Sequence, residues 1–264
     1  MTKRVLAVCG DSWYSSVHDY PGESFGEIIC DRHDLELFSL ARGGASNFAI
    51  ALQIDEAIKR KVDFIICGTT SPDRIEIPIN VTPYEEIAKW FNWQFWSRIS
   101  SKTYKKVRGL ANVQYKPHPD LSSDHEWLNT PSIIAESINN LAFMNNNFDH
   151  YKDVLTENRM SALKHYLTEL YDNNIKQQYD SWLFSDAARR LVRSNIPFLL
   201  VTYPLLEYDY FDDISWVDSK NLITNKDFYY YDLPPGPARF HTSYEGSILF
   251  ADYIQDRLQQ QGFI

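Results

Sequence analysis

Residues 5–12 read Val-Leu-Ala-Val-Cys-Gly-Asp-Ser, a short apolar run that stops at Gly10. Such a run, here residues 4–9, reads as a strand buried on both faces of a parallel sheet. That constrains the rest of the chain, because open α/β sheets bind ligands at the carboxyl ends of their strands. Asp11 and Ser12 stand at such an end. The residues from Trp13 to His18 are expected to open a helix. Ser12 then lies near free helix N–H groups, which favour developing negative charge. Two readings follow: Asp11 and Ser12 cap that helix, or the Ser12 hydroxyl is a nucleophile.

Three further segments read as strands. Residues 34–39 alternate between polar and apolar, Val62 to Cys67 is an apolar run ending at Gly68, and residues 196–201 read Ile-Pro-Phe-Leu-Leu-Val. Between residues 34–39 and 62–67, Ser46 to Lys61 carries Phe48, Ile50, Ala51, Ile54, Ala57 and Ile58 at helical spacing, with Ser46 or Asn47 at the cap. An Ala- and Arg-rich helix is expected over 185–194, and a last helix over Tyr244 to Gln259. Strands alternating with helices predict an α/β fold, a three-layer α/β/α sandwich around a mostly parallel sheet.

A chain of 264 residues holds one such domain. The long span at about 75–182 reads as a helical insertion or cap on it. Trp90, Phe91, Trp93, Phe95 and Trp96 crowd one segment there, and 132–181 is expected to be mostly helical through positions such as Ile134, Ile138, Leu163 and Leu170. No repeat or linker marks a second domain.

Acidic residues outnumber basic ones 35 to 26, a net charge of −9, which argues against a broad nucleic-acid surface. Lys102, Lys105, Lys106 and Arg108 fit a solvated helix face. No stretch is long enough to span a bilayer. Met-Thr-Lys-Arg runs directly into the first strand, so no signal peptide is expected, and a cytoplasmic location is. Cys9, Cys30 and Cys67 are widely spaced and read as buried small hydrophobes.

Four polar stretches fall at the ends of these elements: Gly10-Asp11-Ser12, Gly43-Gly44-Ala45-Ser46-Asn47, Gly68-Thr69-Thr70-Ser71 and His241-Thr242-Ser243-Tyr244-Glu245-Gly246. In this order they resemble the SGNH (GDSL-type) hydrolase family over about residues 4–72 and 196–258. The resemblance implies a flavodoxin-like α/β/α fold and a serine esterase or acyl-hydrolase, for instance one removing O-acetyl groups from a glycan. It needs no cofactor or metal. Ser12 is then the nucleophile and His241 the base that activates it and later protonates the leaving alcohol. The backbone N–H groups of Ser12 and Gly44 are the oxyanion donors, each worth a few kcal/mol.

Two positions depart from the family pattern. Thr70 stands where the family has its oxyanion-donating asparagine, so a hydroxyl replaces a carboxamide. Asn47 is a second candidate to reach the substrate, with helix capping as its other role. Ala238 stands three residues before His241, where the family has its orienting aspartate. Asp232 from the preceding loop, a backbone carbonyl or a Ser–His dyad are the alternatives. Loss of the orienting acid costs several powers of ten in rate. The departures sustain a second expectation, a catalytically degenerate binding or structural protein, including a viral, virion-associated one. A flavodoxin-like nucleotide-binding domain ranks last, because both the Gly-x-Gly-x-x-Gly and P-loop patterns are missing.

Other stretches carry weaker signals. Arg74 could bind a substrate carboxylate or phosphate, or pair internally with Asp73 or Glu76. His118, Asp120, Asp124, His125 and Glu126 have metal-binding chemistry but match no metal-site spacing and read as a solvated loop. The Trp90–Trp96 aromatics either pack a helix or line a pocket, and Tyr229-Tyr230-Tyr231 is a lid or packing.

Overall fold

In the computed structural model, the structure describes residues 2–11, 13–14, 24–41, 45–70, 74–76, 132–134, 158, 161–162, 165–202, 216–224, 227 and 243–264. Strands β1 (Val5–Cys9), β2 (Glu36–Ser39), β3 (Phe64–Gly68), β6 (Phe198–Val201) and β7 (Leu222–Ile223) form a five-stranded sheet in the order β2-β1-β3-β6-β7. Every pair in it is parallel. Two short strands, β4 (Arg74–Glu76) and β5 (Ser132–Ile134), pair antiparallel as a separate ribbon. The helices are α1 (Phe25–His33), α2 (Asn47–Lys59), α3 (Asn173–Ser194) and α4 (Tyr244–Gln260).

The sheet is buried on both faces because its central strands are apolar throughout. Alternate residues feed two cores. Leu6, Val8, Phe64, Ile66, Leu199 and Val201 pack with Phe25 and Ile29 of α1 and Phe250, Ala251 and Ile254 of α4. Ala7, Cys9, Ile65, Cys67, Phe198 and Leu200 pack with Ile50 and Ile54 of α2 and Phe184 and Leu191 of α3. Each large side chain of this kind stabilises the fold by about 1.5–3 kcal/mol relative to exposure. Gly26 lets α1 lie close to the sheet, since a Cβ there would sit 3.1 Å from Val8 Cγ2.

Helix boundaries follow local chemistry. Ser24 caps α1 in a capping box with Glu27: the Glu27 N–H donates to Ser24 Oγ (3.2 Å) and the Ser24 N–H to Glu27 Oε2 (3.0 Å). Asp34 then ends α1 in the left-handed conformation at φ 52°. Asp172 caps α3, accepting from the N–H groups of Asn174 and Ile175. Arg257 of α4 donates to the carbonyls of Ser219 (2.6 Å) and Leu222 (2.9 Å), fastening β7 to that helix.

Several expectations change. Trp13 and Tyr14 form a turn, the Tyr14 N–H reaching the Asp11 carbonyl (3.1 Å), and residues 15–18 of the expected helix lie outside the described residues. Residues 132–134, expected to be helical, are a strand, because their backbone finds a partner in Arg74–Glu76. The expected insertion boundary at 182 falls inside α3, which begins at Asn173. A π-helical turn, Tyr166–Leu170, precedes it. The aromatic segment 90–96, the acidic and histidine cluster at 118–126 and Tyr229–Tyr231 lie outside the described residues. Among the described residues no helix is long and apolar enough to cross a membrane, and no group of three or more His, Cys, Asp or Glu could hold a metal ion.

Candidate active site

The sheet order reverses direction between β1 and β3: β2 lies to one side of β1, and β3, β6 and β7 to the other side. Doubly wound sheets bind ligands at such a switch point, outside the carboxyl ends of the strands. Cys9 and Cys67 are register partners, so Gly10-Asp11 and Gly68-Thr69-Thr70 leave the sheet side by side.

An aromatic ring sets the shape of this edge. Tyr14, 2% exposed, lies across the ends of both strands. A Cβ at Gly10 or at Gly68 would overlap its side chain, so glycine at both positions is a requirement of that packing. Tyr14 meets Phe25 edge-on at 5.8 Å, and Trp13 meets Phe250 edge-on at 5.5 Å. The turn after β1 is thereby packed against α1 and α4.

Hydrogen bonds then tie the loops together. The Asp11 carboxylate is 1% exposed. Its Oδ1 accepts from the Trp13 N–H (2.8 Å) and its Oδ2 from the Thr70 hydroxyl (2.7 Å). Asn47, in the first turn of α2, grips the Thr70 peptide at both ends: its Oδ1 accepts from the Thr70 N–H (2.8 Å) and its Nδ2 donates to the Thr70 carbonyl (2.9 Å). The same Nδ2 donates to Asp180 Oδ2 on α3 (2.8 Å), and Lys176 Nζ lies 2.5 Å from Asp180 Oδ1. One turn and a half further along α2, Gln53 Oε1 accepts from the Gly10 N–H (2.7 Å). Two buried carboxylates, Asp11 and Asp180, are thus each satisfied by donors, as buried charges must be.

Near this edge the thiols of Cys9 and Cys67 are pushed up by burial, which leaves them inert as nucleophiles. Beside the Trp13–Tyr14 turn lies a small pocket of about 10 Å³, room for about one water, lined by Trp13, Tyr14, Val201, Thr202, Ile223, Thr224 and Phe250. Its walls are apolar apart from two threonines, and the Thr202 hydroxyl donates to the Ile223 carbonyl (3.3 Å).

The candidates named from sequence fall into two groups. Ser12, Gly44, Asp232 and His241 lie outside the described residues, as does Ala238. Their neighbours are placed: Asp11 and Trp13 flank position 12 at the switch point, and Ser243 caps α4, its Oγ accepting from the Gly246 N–H (3.1 Å). Thr70 and Asn47 are described and bonded to each other. Helix α2 is capped by Ser46, which accepts from the Ala49 N–H (3.2 Å), and Asn47 does not cap it. Both donors of Thr70 are engaged within the protein. Arg74 opens β4, and only its backbone is described.

Sequence reasoning did not single out Tyr14, Gln53, Lys176 or Asp180. A polar residue inside an apolar helical stripe, such as Gln53 between Ile50 and Ile54, was the available signal for one of them. No model of a known protein family matches the chain, and no curated protein matches it.

Proposed function

We propose that the chain is a serine esterase or acyl-hydrolase of SGNH type. Ser12 is its nucleophile, His241 its general base, and the backbone N–H groups of Ser12 and Gly44 its oxyanion donors. The observation that carries this reading is the Asp11–Thr70 hydrogen bond at the β1/β3 switch point. It fixes the residues on either side of position 12 at the carboxyl edge of a parallel sheet, where a nucleophile meets its substrate.

The finer architecture belongs to this reading: a single three-layer α/β/α domain over 1–264, with an insertion at about 75–182. The substrate is a small-molecule or glycan ester. Asp232 is the proposed acid behind His241, in place of the family aspartate that Ala238 replaces. No nucleic acid, membrane or cofactor enters the mechanism. Asn47 and Arg74 remain the candidates for contact with the substrate; of the two, Asn47 already has its amide engaged.

Turnover of a panel of short-chain aryl and sugar esters tests the proposal. Hydrolysis that disappears in both Ser12→Ala and His241→Ala, with the fold intact, supports it. Hydrolysis that survives Ser12→Ala overturns it.

One observation favours a second reading, a non-catalytic SGNH-like binding or structural protein, of viral origin among other settings. With both donors of Thr70 engaged, no carboxamide or hydroxyl at that position reaches a substrate oxyanion in this arrangement. A folded chain with no turnover of any ester in the panel is what this second reading predicts.

A further inference from the structure

The family pattern casts Thr70 as the replacement for an oxyanion donor, yet its hydroxyl donates to Asp11 Oδ2 and its N–H to Asn47 Oδ1. We propose that Thr70 is a positioning residue: it holds the Asp11 carboxylate, and through it the Asp11–Tyr14 turn, without touching the oxyanion. The inference rests on Ser12 as the nucleophile.

The geometry is suited to that role. The Asp11 carboxylate bridges the two strand ends, with Oδ1 on the Trp13 N–H and Oδ2 on Thr70. The residue before position 12 and the residue after it are therefore tied to one carboxylate, and that carboxylate to the segment that follows β3. Thr70 can serve as an anchor because its own peptide is held at both ends by Asn47. Asn47 is in turn held by Asp180, and Asp180 by Lys176. The chain of contacts runs from α3 through α2 to the turn after β1, a sequence separation of 133 residues at its longest step. All of these groups but Lys176 are buried almost completely, so water does not replace a lost partner. On the other side of the turn Gln53 holds the Gly10 N–H. Helix α2 therefore supports both strand ends at once, through Gln53 at Gly10 and Asn47 at Thr70.

The test uses the full chain and a fluorophosphonate probe that phosphonylates reactive serines, displacing fluoride. Thr70→Val removes the hydroxyl at nearly constant shape. It is expected to slow labelling of Ser12 by ~10²-fold, the scale of a misplaced reacting group. Thr70→Ser keeps the hydroxyl and is expected to restore the rate. With a reporter ester, kcat falls in Thr70→Val while KM stays, and rates are taken per folded protein from the thermal transition. A crystal structure of the phosphonylated wild type needs no variant: the Thr70 hydroxyl is expected still on Asp11. A hydroxyl found on the phosphonyl oxygen, or Thr70→Val labelled at the wild-type rate, overturns this inference and leaves the Ser12 reading standing. A folded wild type that takes no label overturns both.

Discussion

Gly68→Ala tests whether the Tyr14 ring shapes the candidate site. Tyr14 is 2% exposed, and a methyl at residue 68 would overlap ring atoms Cζ and Cε2 and the hydroxyl. Either the ring leaves its place or the end of β3 shifts. The upper bound is loss of the ring's packing altogether, about 3–5 kcal/mol for truncating a buried aromatic. The lower bound is ordinary overpacking, about 1–3 kcal/mol. The clash is with the far end of the ring, so partial tilting relieves some of it, and a loss of ~3 kcal/mol is expected. That is a large share of a stability of about 5–15 kcal/mol. It lowers the melting temperature by about 6–12 °C in a chain of this size. Urea unfolding followed by circular dichroism reads the loss in wild-type and Tyr14→Ala backgrounds. Without the ring, Gly68→Ala costs less than ~1 kcal/mol, because the overlapping atoms are gone. Gly10→Ala keeps most of its penalty in that background, since Tyr14 Cβ, which alanine retains, lies 2.7 Å from the added Cβ. A Gly68→Ala protein within ~0.5 kcal/mol of wild type, or one equally destabilised with and without the ring, refutes the reasoning.

Asn47→Ala strands the buried Thr70 N–H and carbonyl and removes one donor to Asp180, and is expected to lose at least ~3 kcal/mol in the same urea experiment. Ser46→Ala removes the α2 N-cap and is expected to lose only ~1 kcal/mol. Arg257→Ala frees the carbonyls of Ser219 and Leu222 and is expected to cost ~2 kcal/mol, with Arg257→Lys failing to recover it because an ammonium cannot span both. The three cysteines are buried, and burial pushes the Cys30 thiol up to about 12, so thiolate is scarce in the folded protein. Iodoacetamide at pH 8 should leave all three unmodified until the chain unfolds, and Cys30 alkylation should still be rising with pH at 10. Rapid labelling of native protein at pH 8 contradicts this.

The strands of the main sheet were legible where apolar runs were long enough to be buried on both faces. The runs at 4–9, 62–67 and 196–201 became Val5–Cys9, Phe64–Gly68 and Phe198–Val201. The expected starts ran early because the residues before each strand are also apolar or extended: Val62 is buried without being in the ladder. Helix α1 was missed although Ser24-Phe25-Gly26-Glu27 is a capping-box sequence, because Gly26 and a weak apolar stripe obscure its periodicity. β7 has two residues and so no period to detect. The resemblance led to Thr70 and Asn47 as candidate contacts with the substrate. Their arrangement depends on Asp180, 133 residues from Asn47, and no spacing rule reports a contact made across the sheet edge. Asp11 was read as a cap, and its side chain does serve the local backbone at Trp13, but its second oxygen holds the segment that follows β3.

The central claim is that Ser12 is an activated nucleophile at the β1/β3 edge. Intact-mass analysis after fluorophosphonate treatment, with peptide mapping of the adduct, tests it most directly. A single adduct on Ser12 of the native chain is predicted, and none in a chain heat-denatured before treatment or in His241→Ala. A natively folded chain that carries no adduct, or carries it on another serine, contradicts it.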